Sequence, residues 1–207
     1  LASGATFRAG AIVQATGFTP VDPTGFEHLG FGVVANVITN DQLEQMAANG
    51  GIVKADGSPA KSVAFVQCGD SRDKELFSYA SSIMSLNALK QAMYLREGDG
   101  ESRAYVFYEH IKTPGQHEDF YRRAQEDPGI FLTRGMVSKV DDSSGSLMLD
   151  VDDTMLGEQI QVEVDLLVLN SGMKPASADG EAIRKFVDMS AIVADGPENA
   201  KYDEAVK

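Results

Sequence analysis

Apolar segments recur along the first two thirds of the chain, separated by longer polar or mixed stretches. Four segments rich in Val, Ile, Leu, Phe and Ala are short, at residues 9–15, 61–67, 103–111 and 130–133. A strand that is buried on both faces of a parallel sheet shows this pattern, because neither of its faces meets water. The chain is therefore predicted to contain a central parallel sheet.

Two amphipathic segments lie between these strands, at residues 74–96 and 117–126. In both, apolar residues return at spacings of three and four, which is typical of a helix with one buried face. Glycines follow both segments, as they commonly do at the ends of helices. Helices of this length between strands predict right-handed crossovers, so the fold class is α/β with a Rossmann-like parallel sheet.

The pattern changes after residue 135 to an alternation of apolar and polar residues. Three short segments alternate in this way, at residues 136–140, 146–151 and 159–164, and polar turns join them. Such alternation is typical of half-buried antiparallel strands. We therefore expect a three-stranded β-meander covering one face of the sheet. A short helix is expected at residues 180–189, followed by a polar tail.

Two strand ends in the sequence resemble each other. Residues 9–20 read AGAIVQATGFTP and residues 164–175 read VDLLVLNSGMKP, each ending in a small hydroxyl residue, Gly, two further residues and Pro. Gly17 and Gly172 allow the chain to turn tightly beside a ligand or another backbone. We expect the two copies to bracket one inserted domain.

Composition excludes several classes of function. A net charge of -13 and a pI near 4.6 argue against a nucleic-acid partner, because binding to phosphates needs clustered Lys and Arg. No apolar run approaches the roughly 20 residues that span a bilayer, so direct membrane insertion is not expected. The single cysteine, Cys68, excludes an internal disulfide and fits a reducing, cytoplasmic compartment.

Metal binding by this chain is not expected. The three histidines, His28, His110 and His117, are far apart and lack the spacing of metal ligands. The acidic residues of the meander do not follow the pattern of a calcium loop. Cys68 without a partner cysteine is interpreted as a small buried residue.

Residues 68–73 follow the first crossover strand and read CGDSRD. A phosphate cradle needs glycines at a helix N-terminus, where backbone N–H groups approach a pyrophosphate. This segment has one glycine and two carboxylates, which would repel phosphate, so NAD(P) binding here is not favoured. Ser71 or Asp73 would instead cap the following helix.

The order of the predicted elements resembles the second dinucleotide-binding domain of disulfide-reductase-type flavoproteins. Several segments sharpen the resemblance to the A subunit of heterodisulfide reductase. In chain order they are NVIT (36–39), LE (43–44), VAFVQC (63–68), SRD (71–73), ALKQA (88–92), VFY (106–108) and DFY (119–121). The whole chain is covered, and these segments occur in the order of that family.

The resemblance implies the chain's place in a larger flavoprotein. Residues 1–60 would be the C-terminal part of the first FAD-domain segment with a linker. Residues 61–175 would be the inserted NAD(P)-binding-like domain, and residues 176–207 a return segment and tail. The full-length protein would bind FAD and exchange electrons with sister subunits, in the cytoplasm or at the inner face of a membrane complex. The fragment itself would bind flavin weakly and be inactive alone.

The resemblance also implies roles for individual residues. Lys90, in the KQA motif, would lie near the flavin ring and stabilise its reduced anionic form; the alternative is an exposed helix lysine. Thr16 and Gly17 would lie along the flavin nucleotide, with tight-turn packing as the alternative. Ser71 and Arg72 match the family at positions that we assign to cofactor binding.

The chain departs from the family at its iron–sulfur ligands. The family's four cysteines hold a [4Fe-4S] cluster; here the first is Cys68, while the helical positions carry Ala80, Met84 and Ser85. These replacements do not ligate a cubane cluster, so none is expected. In this respect the chain is similar to the A subunit of the quinone-interacting membrane-bound oxidoreductase, which works in sulfur metabolism.

Three functions remain open from the sequence. The first is that of an electron-transfer flavoprotein within a larger complex. The second is a protein-interaction module whose cofactor site has decayed. The third is an NAD(P)H-dependent relative of the disulfide reductases, which would require nicotinamide binding near Gly69.

Overall fold

The structure is a computed structural model of the chain. It describes residues 10, 11, 13, 15–67, 80–143 and 145–176. Cys68, Ser71, Arg72, Asp73, the first residues of the helix predicted from residue 74, and the helix predicted at 180–189 lie outside the described residues. The chain divides into two compact units, Leu1–Thr19 with Lys174–Lys207, and Pro20–Met173.

The described elements alternate between strands and helices before ending in a run of strands. In chain order they are β1 (Phe18–Pro20), a 3₁₀ helix (Pro23–Leu29), β2 (Val37–Thr39), α1 (Asn40–Ala48), β3 (Ser62–Gln67), α2 (Ala80–Gly98), β4 (Arg103–Tyr108), α3 (His117–Glu126), β5 (Ile130–Asp141), β6 (Leu147–Asp153), β7 (Glu158–Val164), β8 (Leu166–Asn170) and β9 (Met173–Pro175).

Seven strands form one mixed sheet in the larger unit. Their order is β2-β8-β3-β4-β5-β6-β7, with parallel pairing from β2 to β5 and antiparallel pairing from β5 to β7. The predicted α/β fold, a Rossmann-like parallel sheet with a three-stranded meander, is confirmed. Strand β8 returns from the meander to lie between β2 and β3, so the strand order reverses there. Ligands of open α/β sheets bind at the carboxyl ends of the strands beside such a reversal.

The parallel sheet separates two hydrophobic cores. Along β3, Val63 and Phe65 pack against the helices, whereas Ala64 and Val66 face the meander. This alternation follows from the two-residue period of a strand. Both faces are covered, which explains why β8 is buried at all five positions. The expectation that the meander covers one face is confirmed.

Strand β5 corrects one boundary. The sequence suggested two separate strands, at 130–133 and 136–140, but Ile130–Asp141 is one strand of 12 residues. Its first residues pair with β4 in parallel and the rest pair with β6 antiparallel. Gly135 stands at the change, where an added Cβ would lie 2.7 Å from the Asp152 carbonyl oxygen. The absence of a Cβ at Gly135 allows the two backbones to approach this closely.

Helix α1 was not predicted from the sequence. Thr39 caps it: the Gln42 N–H donates to the Thr39 hydroxyl at 3.3 Å, and the Thr39 N–H donates to Gln42 Oε1 at 2.8 Å. This reciprocal capping box was readable as a Thr and a Gln three residues apart. Leu43, one residue further on, is fully buried against the sheet.

The two similar strand ends adopt similar turns. Gly17 and Gly172 have φ values of 74° and 83°, in the left-handed region that favours glycine. The strands that follow them, β1 and β9, pair with each other in a two-stranded sheet. The expected strand at 9–15 is not seen at its described residues, 10, 11, 13 and 15; the strand begins after the glycine instead.

Among the helices that the structure describes, none has the length and apolarity to cross a membrane.

Candidate cofactor site

Lys90 lies on α2, on the side that faces α1. Its Nζ is 2.8 Å from Glu44 Oε1, and the two side chains are 39% and 35% exposed. The ammonium also lies 5.5 Å from the centroid of the Tyr94 ring, which is one helical turn further along α2. A cation over an aromatic face gains electrostatic attraction. Lys90 is therefore held in place by two neighbours and still reaches solvent.

Glu44 is itself held by a second helix residue. Gln91 is fully buried, and its Nε2 donates both to Glu44 Oε1 and to the Asn40 carbonyl oxygen, each at 2.9 Å. One carboxylate oxygen thus accepts from Lys90 and from Gln91 together. Gln91 Oε1 and Asn40 Oδ1 are buried and find no hydrogen-bond partner among the described residues. The amide of Gln91 fixes the carboxylate that orients Lys90.

Electrostatics keep Lys90 charged. Burial lowers the pKa of Lys90, but the hydrogen bond and charge of Glu44, together with Tyr94, outweigh burial and raise the pKa above its usual value. On α1, burial and the neighbouring charge of Glu44 raise the pKa of Asp41. Lys90 therefore presents a positive charge throughout the physiological range of pH.

The carboxyl ends of β3 and β8 carry a second group of polar residues. Gln67 and Asn170 are paired in register at the last positions of these strands. Asn170 is fully buried; its Nδ2 donates to the Met84 carbonyl oxygen at 3.2 Å, while its Oδ1 has no partner among the described residues. The Ser171 hydroxyl donates to the Val21 carbonyl oxygen at 3.1 Å. These side chains lie where the strand order reverses.

Met84 and Ser85 stand at two positions where the family has cluster ligands, and the Ser85 hydroxyl makes three hydrogen bonds. Met84 and Ser85 are both buried. The Ser85 hydroxyl donates to the Ser81 carbonyl oxygen at 2.8 Å and accepts from the Lys112 N–H at 3.1 Å and from Gln67 Nε2 at 3.4 Å. A serine engaged in this way and a methionine thioether do not fit a [4Fe-4S] cluster, which needs thiolates.

The described residues contain no group of three His, Cys, Asp or Glu side chains that could hold a metal ion. Cys68 lies outside them, so the absence of a cluster stays a prediction.

The remaining candidate residues are divided between the two units. Thr16 and Gly17 belong to the smaller unit and are exposed; an added Cβ at Gly17 would meet no atom within 4 Å. The positive φ of residue 17 therefore favours a glycine there, whereas no neighbouring atom would clash with a Cβ. Lys90 belongs to the larger unit. Ser71 and Arg72 lie outside the described residues.

Sequence reasoning overlooked Glu44 and Gln91. Both belonged to segments quoted for the family resemblance, LE at 43–44 and ALKQA at 88–92, but only Lys90 was assigned a role. The useful signal was a glutamine on a buried helix face, because a buried amide needs partners and so points to a polar contact.

Known folds and known sequences give different information. No protein-family model matches the chain. Similar solved structures include T. acidophilum thioredoxin reductase, with a TM-score of 0.45 and 11% identity, covering 78% of this chain and 44% of that one. An ornithine N-hydroxylase from a Kutzneria species gives a TM-score of 0.48 and 13% identity, covering 76% of this chain and 44% of that one.

Curated relatives are more informative. The iron-sulfur A subunit of CoB–CoM heterodisulfide reductase from Methanocaldococcus jannaschii is 36% identical over 178 residues, which is 81% of this chain and 27% of that protein. One of the corresponding proteins of Methanopyrus kandleri is 36% identical over 193 residues, covering 88% and 29%. The A subunit of the H2/formate:CoB-CoM heterodisulfide,ferredoxin reductase of Methanococcus maripaludis is 33% identical over 184 residues, covering 84% and 28%.

The chain thus spans between a quarter and a third of the length of these relatives. The similarity runs through most of the chain. The chain belongs to the family of heterodisulfide reductase A subunits.

Proposed function

We propose that this chain is part of an electron-transfer flavoprotein, in which it presents Lys90 to the ring of a bound FAD. The observation that carries the proposal is the arrangement of Lys90, whose ammonium is 2.8 Å from Glu44 and remains partly exposed. FAD, when bound, supplies the one- and two-electron chemistry. Lys90 stabilises the negative charge that the ring acquires on reduction.

The other residues act on binding and orientation. Glu44 fixes the direction of the Lys90 ammonium, and Gln91 fixes Glu44. Thr16, Gly17, Ser71 and Arg72 would line the cofactor, as the family resemblance implies. The domain assignment made from the sequence, with an inserted domain at 61–175 between segments at 1–60 and 176–207, belongs to the same proposal.

The proposed partners are sister subunits of an oxidoreductase complex. The names of several relatives describe them as subunits of reductases that act on CoB-CoM heterodisulfide, and five of these names include ferredoxin. Here the protein would pass electrons without an iron–sulfur cluster of its own. In this respect the protein would resemble the A subunit of the quinone-interacting membrane-bound oxidoreductase. It would work in the cytoplasm or at the inner face of a membrane complex.

The test is the midpoint potential of the flavin in the full-length protein. Lys90→Gln removes a positive charge beside the reduced ring, so the potential should fall on the order of 30 mV, about 1.4 kcal/mol for two electrons. Lys90→Arg keeps the charge and should restore most of the potential. Lys139→Gln is the control, since Lys139 is an exposed lysine of the meander that pairs with Asp141.

Equal potentials in the Lys90→Gln and Lys139→Gln proteins would refute the proposal. In that case Lys90 would be a structural residue joining α1 and α2.

A further inference from the structure

A cavity of about 640 Å³ lies in the larger unit, where α1 and α2 both end. Its volume is in the range of small-ligand sites. The cavity is at the end of the helices opposite to Asn40 and Ala80, and its lining includes Glu44 and Tyr94 but not Lys90. It is therefore distinct from the carboxyl ends of the strands described above.

The floor of the cavity is apolar. Ile52, Pro59, Ala60 and Leu95 line it, and Ala60 and Leu95 are buried members of the core beneath the helices. This floor is held in shape by the backbone, since the Ala60 N–H donates to the Ile52 carbonyl oxygen at 3.1 Å. An aliphatic chain placed here would lose contact with water, which favours its binding.

The rim of the cavity is acidic. Glu44, Glu97 and Asp99 line it, and none of the described lining residues is Lys, Arg or His. Lys90 balances the charge of Glu44, but Glu97 and Asp99 form no ion pair within the described part of the chain. Among the described residues, these two carboxylates at the mouth of an apolar cavity therefore have no ion-pair partner, because the neighbouring Arg96 pairs with Asp127 instead.

The two helices add to this negative potential. Ala47 and Ala48 end α1, Glu97 and Gly98 end α2, and all four residues line the cavity. The last carbonyls of a helix have no partner within it and carry a partial negative charge. Arg96 already lies in the last turn of α2, whereas the last turn of α1 has no basic residue. The end of α1 therefore favours a cation at the same place as the two carboxylates.

We propose that this cavity binds an arginine side chain presented by a partner subunit. The methylene stem of an arginine would cover Ile52, Ala60 and Leu95, as long basic side chains do on apolar surface. The guanidinium, with five donors in a fixed plane, can bond to two carboxylates and a helix carbonyl at once, which a lysine ammonium does less well. The inference rests on the proposed function only in taking the partner to be a sister subunit.

The test is a titration of the ¹⁵N-labelled 207-residue chain with acetyl-Leu-Arg-Leu-amide, followed by NMR. The amides of Ile52, Ala60 and Leu95 should shift on binding. The matching citrulline peptide, which has the same shape without the charge, should bind about tenfold more weakly, a loss of about 1.4 kcal/mol. Salt should weaken the arginine peptide and not the citrulline one.

Variants that remove charge at the rim of the cavity are compared with variants that remove the same charge from the meander. Glu97→Gln with Asp99→Asn should weaken the arginine peptide by about tenfold. Asp142→Asn with Glu158→Gln makes the same change of charge at exposed meander positions and should leave binding unchanged. Glu97→Gln alone should show about half of the free-energy loss if the double variant does not fold.

Equal binding of the two peptides, shifts confined to other residues, or no shifts at all would overturn the inference. No flavin is present in this assay, so its outcome is independent of the role proposed for Lys90.

Discussion

At the scale of single residues, the candidate site depends on one shared oxygen atom. Glu44 Oε1 accepts from Lys90 at 2.8 Å and from Gln91 at 2.9 Å. The charge of Lys90 could be anticipated from the sequence, as could its position on a helix. Its partner could not, because Glu44 is 46 positions earlier in the chain and the predicted elements did not include α1.

Removing the carboxylate charge should lower the pKa of Lys90. In Glu44→Gln the amide can still accept a hydrogen bond, but the coulombic part of the interaction is lost. The pKa would be followed through the side-chain carbon next to Nζ by NMR as pH is raised. Asp142→Asn, which removes an exposed carboxylate from a meander turn, is the control and should leave the pKa of Lys90 unchanged.

Glu44→Gln should also lower the stability of the fold, to an extent that depends on pH. The pKa of Lys90 is raised in the folded state, so its pair with Glu44 stabilises the fold fully below the unfolded-state pKa of lysine. This contribution disappears as pH rises through the folded-state pKa. Both side chains are more than a third exposed, so solvent screening limits the loss in Glu44→Gln to about 0.5–1 kcal/mol at neutral pH. A loss that persists unchanged above the pKa of Lys90 would contradict this account.

At the scale of elements, strand β5 joins the parallel half of the sheet to the antiparallel half. The short apolar segment at 130–133 and the alternation at 136–140 predicted both of its halves correctly. It could not show that they are continuous, because a glycine in a strand also reads as an interruption. The deciding fact is a non-local contact, the approach of Gly135 to the Asp152 backbone.

Gly135→Ala should therefore destabilise the protein. A Cβ there would lie 2.7 Å from the Asp152 carbonyl oxygen, and the paired strands would have to separate. Overpacking of this kind costs about 1–3 kcal/mol, which chemical denaturation would measure. Gly25→Ala is the matched control, because Gly25 is exposed and an added Cβ there meets nothing within 4 Å. Equal stability of the two variants would argue against a constraint at Gly135.

At the scale of the whole molecule, the fold was predictable and most of the site was not. The parallel strands β3, β4 and β8, the parallel part of β5 and the meander follow from local periodicity, which a sequence displays directly, whereas β2 was not predicted. The pairing of Gln67 with Asn170, and the hydrogen bonds that close around Ser85, join residues far apart in the chain. Such contacts follow from the arrangement of elements and have no local signal.

The 207 residues by themselves should bind FAD weakly. These residues contain no Gly-x-Gly-x-x-Gly segment, in which backbone N–H groups hold the pyrophosphate of a dinucleotide, and the chain carries a net charge of -13. Absorbance of the purified chain near the flavin bands, before and after adding FAD, measures this. A stoichiometric yellow protein would show that the chain holds a phosphate-binding segment that the residues do not reveal.

The position of β8 has a consequence for how the protein is made. This strand is the eighth of those that the structure describes, yet it fills the gap between β2 and β3. Until residues 166–170 leave the ribosome, both neighbours have an unpaired edge, and the two cores lack Leu166 to Leu169. Long-range pairing of this kind slows folding and exposes strand edges to association. The nascent chain therefore passes through an interval in which its sheet is open in the middle and presents unpaired strand edges to a chaperone.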